Sequence, residues 1–106
     1  MPKYLITANY SPEGVEGVKS KGGSSRRDAV AATVEGLGGK LESFYFGFGD
    51  HDAFVTVDMP DNEAVAAVAL TVNAAGSVSI NTTVLLTPEE VDEAAQRSVD
   101  YTPPGG

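Results

Sequence analysis

The sequence predicts an α+β domain built on a four-stranded antiparallel sheet. Three observations lead there. β-forming runs and helical runs alternate in the order β-α-β-β-α-β, with a further helical run at the end. Each transition carries a helix cap, a proline or a glycine pair. A chain of 106 residues with 42 % apolar content has room for one core without staples.

Lys3 to Tyr10 is rich in β-formers and has no breaker, so it reads as a strand with Tyr4, Ile6, Ala8 and Tyr10 on one face. Ser11-Pro12-Glu13 opens a helix: a cap residue, proline at the first position and an acid in the first turn. Val15 and Val18 share a face of it. Gly14 and Gly17 weaken it by up to about 1 kcal/mol each, and Gly22-Gly23 breaks it. A second helix restarts with Ser25 as cap and Asp28 three residues on. Val30, Val34 and Leu37 form its stripe, and Gly38-Gly39 closes it.

Lys40 to Phe48 is the second strand, with Phe44, Phe46 and Phe48 on one face and Leu41, Ser43, Tyr45 and Gly47 on the other. Gly49-Asp50 suits a two-residue hairpin, with the glycine at positive φ. Asp52 to Met59 is the third strand. Asp61 caps a helix whose stripe is Val65, Val68 and Val72, ended by Gly76. Ser77 to Leu86 is the fourth strand, with Val78, Ile80, Val84 and Leu86 opposite Ser79, Asn81 and Thr83. Thr87-Pro88-Glu89-Glu90 is a capping box, and its helix is expected to reach about Val99. Residues 1–100 thus read as one domain and 101–106 as a flexible tail. Sequential pairing and right-handed crossovers select the ferredoxin-like arrangement, with the helices on one face of the sheet.

Helices on one face leave the other face open. Large apolar groups of the second strand point both ways, and each buried phenylalanine is worth about 1.5 to 3 kcal/mol. The expectation is a homodimer, or a higher homo-oligomer, whose sheets face each other. The competing arrangement has the C-terminal helix folding under the sheet of its own chain.

Composition excludes several classes. There is no cysteine, hence no disulfide framework, thiolate metal site or cysteine nucleophile. A net charge of −8 repels nucleic acid and anionic lipid. No apolar run suits a signal peptide or a spanning helix, so a cytoplasmic location is expected and a membrane partner is not.

Residues 44–54 hold five of the eight aromatics and the one histidine. His51 is the candidate general acid or base, steadied by Asp52; the competing reading is a turn whose short polar groups satisfy their own backbone. In an extended segment His51 points away from Asp50 and Asp52, and no second histidine exists. No metal and no cofactor are therefore expected. Lys19, Lys21, Arg26 and Arg27 gather around a glycine-serine loop that opens a helix. Arg26 and Arg27 there suit a carboxylate or phosphate, or else pair with surface acids such as Asp28 and Glu35.

Met1-Pro2-Lys3-Tyr4-Leu5, Ser11-Pro12-Glu13-Gly14, Gly23-Ser24-Ser25-Arg26-Arg27, Leu37-Gly38-Gly39-Lys40, Phe44-Tyr45-Phe46 with Gly49-Asp50-His51-Asp52, and Leu86-Thr87-Pro88-Glu89-Glu90 together resemble the GYD domain family. The likeness spans about residues 2 to 95, with His51 where the family signature has tyrosine. It implies a dimeric α/β barrel, in agreement with the open-face argument. That group includes cofactor-free oxygenases, small-molecule-degrading enzymes and stress proteins, so the resemblance implies a fold and an assembly rather than a reaction. Such barrels leave a pocket beside the sheet. Tyr4, Tyr45, Asn9, Asn81 and Thr83 are the polar groups expected to line it, with the basic pair Arg26 and Arg27 as anion holders. Two functions follow: a small-molecule-binding or interaction module whose ligand is a small organic or anionic molecule, or a cofactor-free enzyme with His51 as its acid/base.

Overall fold

The computed structural model describes residues 1–105. Strand β1 (Lys3–Tyr10) is hydrogen-bonded on both sides and organises the sheet. Its residues alternate strictly: Tyr4, Ile6 and Ala8 are buried, while Lys3, Leu5, Thr7 and Asn9 are half-buried on the opposite face. Strands β2 (Lys40–Phe46), β3 (Ala53–Asp58) and β4 (Val78–Leu85) complete an antiparallel sheet of order β2-β3-β1-β4. Helices α1 (Pro12–Lys21) and α2 (Gly23–Gly36) join β1 to β2. Helix α3 (Asn62–Ala75) joins β3 to β4, and α4 (Pro88–Ala95) follows. The ferredoxin-like order expected from the sequence is the order found.

The core lies between the sheet and α2 and α3. Its largest cluster joins Tyr4, Ile6, Val55, Val57 and Met59 of the sheet side to Val34 of α2 and Val65 of α3. Ala53, Val55, Val57 and Met59 all turn inward, as alternation requires. The caps Ser11, Asp61 and Thr87 each accept a backbone N–H, and Thr87 with Glu90 forms the expected capping box. Gly38 takes the left-handed conformation just past α2 (φ 83°). On the outer face, the Lys3 ammonium donates to the carboxylates of Glu42 and Asp58, the latter at 3.0 Å.

Local structure departs from the sequence expectation in five places. Helix α2 starts at Gly23 with Gly22 as its N-cap, and Ser25 caps nothing. Leu37 stands at the C-cap and is 40 % exposed, so it has left the stripe. A β-bulge between Leu41 and Ser43 inserts Glu42, so Leu41 joins Phe44 on the inner face instead of opposing it. The β2–β3 connection runs from Gly47 to Asp52, longer than a two-residue hairpin. Phe48, not Gly49, takes the positive φ there (55°), and Gly47 N–H to Asp52 C=O (2.9 Å) closes the loop. Finally, α4 ends at Ala95 with Gln96 as its C-cap, short of Val99.

The radius of gyration is 16.8 Å, against about 13 Å for a compact chain of this length. No residue of α4 is buried. Helix α4 therefore does not fold under its own sheet. Tyr45 (70 % exposed) and Phe54 (39 %), cross-strand partners on the outer face, remain in solvent.

Two predictions follow from this packing. Met59→Ala removes a side chain that is 0 % exposed and lowers the unfolding free energy by about 2–5 kcal/mol, read from urea denaturation. The Glu42 and Asp58 carboxylates raise the Lys3 pKa above its ordinary 10.5. The stability this confers is complete below pH 10.5 and is lost as pH rises through the raised value. A Lys3→Met variant is expected to lose that part of the alkaline limb in melts followed by circular dichroism.

Candidate functional site

Helix α2 packs over β2 and helix α3 over β4. Between them, toward the Ala8 and Tyr10 end of β1, a cleft opens. Small side chains keep it open: Ala8 on the floor and Ala29 on the wall. The inner part holds about 110 Å³, and its wall includes Phe44 and Val55 of the sheet and Val68 and Val72 of α3. The outer part holds about 310 Å³ and lies under α1, where Glu13, Lys21, Ser25 and Arg26 surround it. Tyr10, Arg26, Ala29 and Val78 line both parts, so the two adjoin.

Helix α1 forms the outer wall by coming very close to the start of β4. The Ser11 N–H donates to the Ser77 carbonyl at 3.0 Å. A Cβ on Gly14 would collide with that same carbonyl oxygen and crowd Tyr10 at 3.3 Å, so the approach requires glycine.

Arg26 stands at the junction of the two spaces. Its Nε is buried and has no hydrogen-bond partner, and no ion pair to it exists among the described residues. A buried guanidinium N–H without an acceptor is costly. Arg27, its neighbour, is on the surface and its Nε donates to Asp28 at 3.1 Å. Of the two arginines picked out in the sequence, only Arg26 enters the cleft.

The other expected site residues lie elsewhere. Tyr4 is a core residue, 1 % exposed, whose hydroxyl donates to the Asn62 side chain at the start of α3. Alternation sends Tyr45, Asn81 and Thr83 to the outer face, opposite the cleft. Asn9 of β1 shares that outer face and holds the β2–β3 loop: its amide donates to the Asp50 carbonyl (3.0 Å) and its Oδ1 lies 3.0 Å from His51 Nδ1. The edge of the His51 ring meets Phe54 at 5.8 Å between centroids. The Asp52 carboxylate accepts the Tyr10 N–H at 2.8 Å, and the Asp52 N–H donates to the Ala8 carbonyl at 2.8 Å. His51 is thus oriented by an amide, while Asp52 ties the loop to the end of β1. Neither residue lines the cleft. Tyr10 and Lys21 were not expected as site residues. Their signals were present, since Tyr10 ends the inward set of β1 and Lys21 belongs to the basic cluster.

Asp52→Ala removes the acceptor of a half-buried N–H and is expected to cost about 1–3 kcal/mol. Asp52→Asn keeps an acceptor and costs less; urea denaturation of both variants measures the difference.

No group of three or more metal-ligating side chains occurs among the described residues, and no helix is long and apolar enough to cross a membrane. The chain matches no curated protein. A crystal structure of MtbAldR superposes on 81 % of this chain with a TM-score of 0.49 at 18 % identity. The match covers 52 % of that chain, so the present chain spans about half its length, and a likeness of that degree carries no functional information. The family model described as the GYD domain matches residues 4–95, and the chain belongs to the GYD domain family.

Proposed function

We propose that the chain is a homodimeric small-molecule-binding module. One observation carries the binding half: a two-part cleft, its inner part between α2 and α3 and its outer part under α1, with a buried, unpartnered Arg26 Nε where they adjoin. Binding sites are concave, mostly apolar and supplied with a few polar groups that orient the ligand. The cleft has that make-up, and nothing in the chain's own core consumes the guanidinium.

The dimer half rests on the outer face of the sheet. Tyr45 and Phe54 face solvent there beside half-buried Leu5 and Leu85. The chain's own α4 leaves this surface uncovered. A second copy related by a twofold axis buries it against the same surface. The exposed apolar residues Leu86, Val91 and Val99 of the C-terminal segment then gain a partner to pack on.

The enzyme reading with His51 as acid/base draws no support from the geometry, because His51 lines neither part of the cleft. A bond to an amide also gives its ring no carboxylate to steady a developing charge.

Light scattering coupled to size-exclusion chromatography at micromolar concentration is expected to give twice the 11.0 kDa chain mass. The Tyr45→Glu, Phe54→Glu double variant is expected to give the single mass, with unchanged circular dichroism. A wild-type monomer at that concentration refutes the dimer. Binding is tested separately by thermal melts against small organic acids, phenols and phosphates, since a ligand at 100 times its dissociation constant stabilises by about 2.7 kcal/mol.

A further inference from the structure

We infer that the ligand of this cleft is a small amphipathic monocarboxylate, held by a pair of hydrogen bonds from the guanidinium end of Arg26 with its apolar part between α2 and α3. The inference rests on the binding reading above and names the class of ligand.

Charge sets the head group. Lys21 and Arg26 supply two positive groups around the outer space and Glu13 supplies one negative group. The surplus is one positive charge, which matches a monoanion and disfavours a phosphate dianion. Geometry sets its approach. Nε is shut off from solvent, so a ligand reaches the guanidinium at its two terminal Nη groups. A carboxylate that meets both Nη groups accepts two parallel hydrogen bonds, the fork-to-fork arrangement in which arginine binds carboxylates strongly. Tyr10 and Ser25 add hydroxyl groups to the same wall.

Shape and polarity set the tail. The inner space has 14 lining residues, and only Tyr10, Arg26 and Thr33 among them have polar side chains. A highly polar ligand such as a sugar or an amino acid zwitterion would leave its polar groups unpaired there. The volume, about 110 Å³, is of the order of the roughly 150 Å³ apolar cavity that accommodates benzene. A single ring or a short alkyl chain fits it.

The test compares benzoate, cyclohexanecarboxylate and hexanoate with their neutral amides and with inorganic phosphate, titrated into the intact protein. Calorimetry gives affinity, and amide chemical shifts of Ala29, Val68 and Val72 report the site. The carboxylates are expected to bind and to move those shifts, with the amides weaker by about tenfold or more. Arg26→Lys, which keeps the charge but loses the fork, is expected to lose about the same factor. Ala29→Leu fills the inner space from a surface-exposed position and is expected to abolish the response without disturbing the fold. If the amides bind in the cleft as tightly as the acids, or phosphate binds more tightly, the ligand class is wrong while the binding reading stands. If none of the probes moves the cleft shifts at millimolar concentration, both are overturned. Nuclear Overhauser contacts between Val91 and Val72, placing α4 of a second copy in the cleft, also overturn the inference.

Discussion

The structure depends on one constraint: the alternation of β1, a strand paired on both edges. Because β1 carries β3 on one side and β4 on the other, its register assigns every residue of those strands to a face. Tyr4, Ile6 and Ala8 fix the inner face, and Val57, Val55 and Ala53 of β3 follow by direct pairing. Val84, Thr82 and Ile80 of β4 follow on the other edge. A one-residue slip would send the inner set into solvent. The two faces then diverge in role. The inner face builds the core and the cleft, and the outer face carries Tyr45 and Phe54 beside Leu5 and Leu85.

The cleft follows from how the helical layer is divided. Two helices each cover an edge strand of the sheet, and the middle is bridged only where large side chains reach across. At the Tyr4, Val57 and Met59 end they do reach, and the core closes. At the other end the cleft has Ala8 on its floor and Ala29 on its wall, too small to fill the gap between α2 and α3. Interiors normally close to near-crystalline density, so an opening maintained by alanines and walled by Gly14 is unlike ordinary core packing. Arg26 is placed there because α2 begins immediately after Gly22, which turns the chain at φ 91° and brings the fourth residue of the helix over β1.

Much of the architecture was legible in the residues because it is set by local chemistry. The caps at Ser11, Asp61 and Thr87 satisfy backbone groups within three residues, and the β1 and β3 alternation needs no distant partner. The misreadings share a cause. The bulge at Glu42 arises from pairing across strands, where the Lys3 ammonium binds Glu42 and Asp58 together. The Gly47–Asp52 loop is long because Asp52, besides closing it, is tied to β1 through its N–H and its carboxylate. Ser25 has the composition of a cap, but the glycine pair before it already starts the helix.

By itself the sequence determined the element order, the ferredoxin-like topology, the inward residues of β1 and β3 and the presence of a basic cluster in an acidic chain. Periodicity, caps and breakers act over a few residues and leave a direct record. Only the tertiary structure decided which groups share a site. Tyr4, Tyr45 and Asn81 belong to strands, and their separation into core and outer face depends on pairing register. Arg26 and Arg27 are adjacent in sequence, yet helical rotation of about 100° per residue turns one into the cleft and the other to Asp28. The aromatic stretch of residues 44–54 was likewise divided by the sheet: Phe44 and Phe46 pack beneath the helices, Tyr45 and Phe54 face outward, and His51 closes a loop against Asn9.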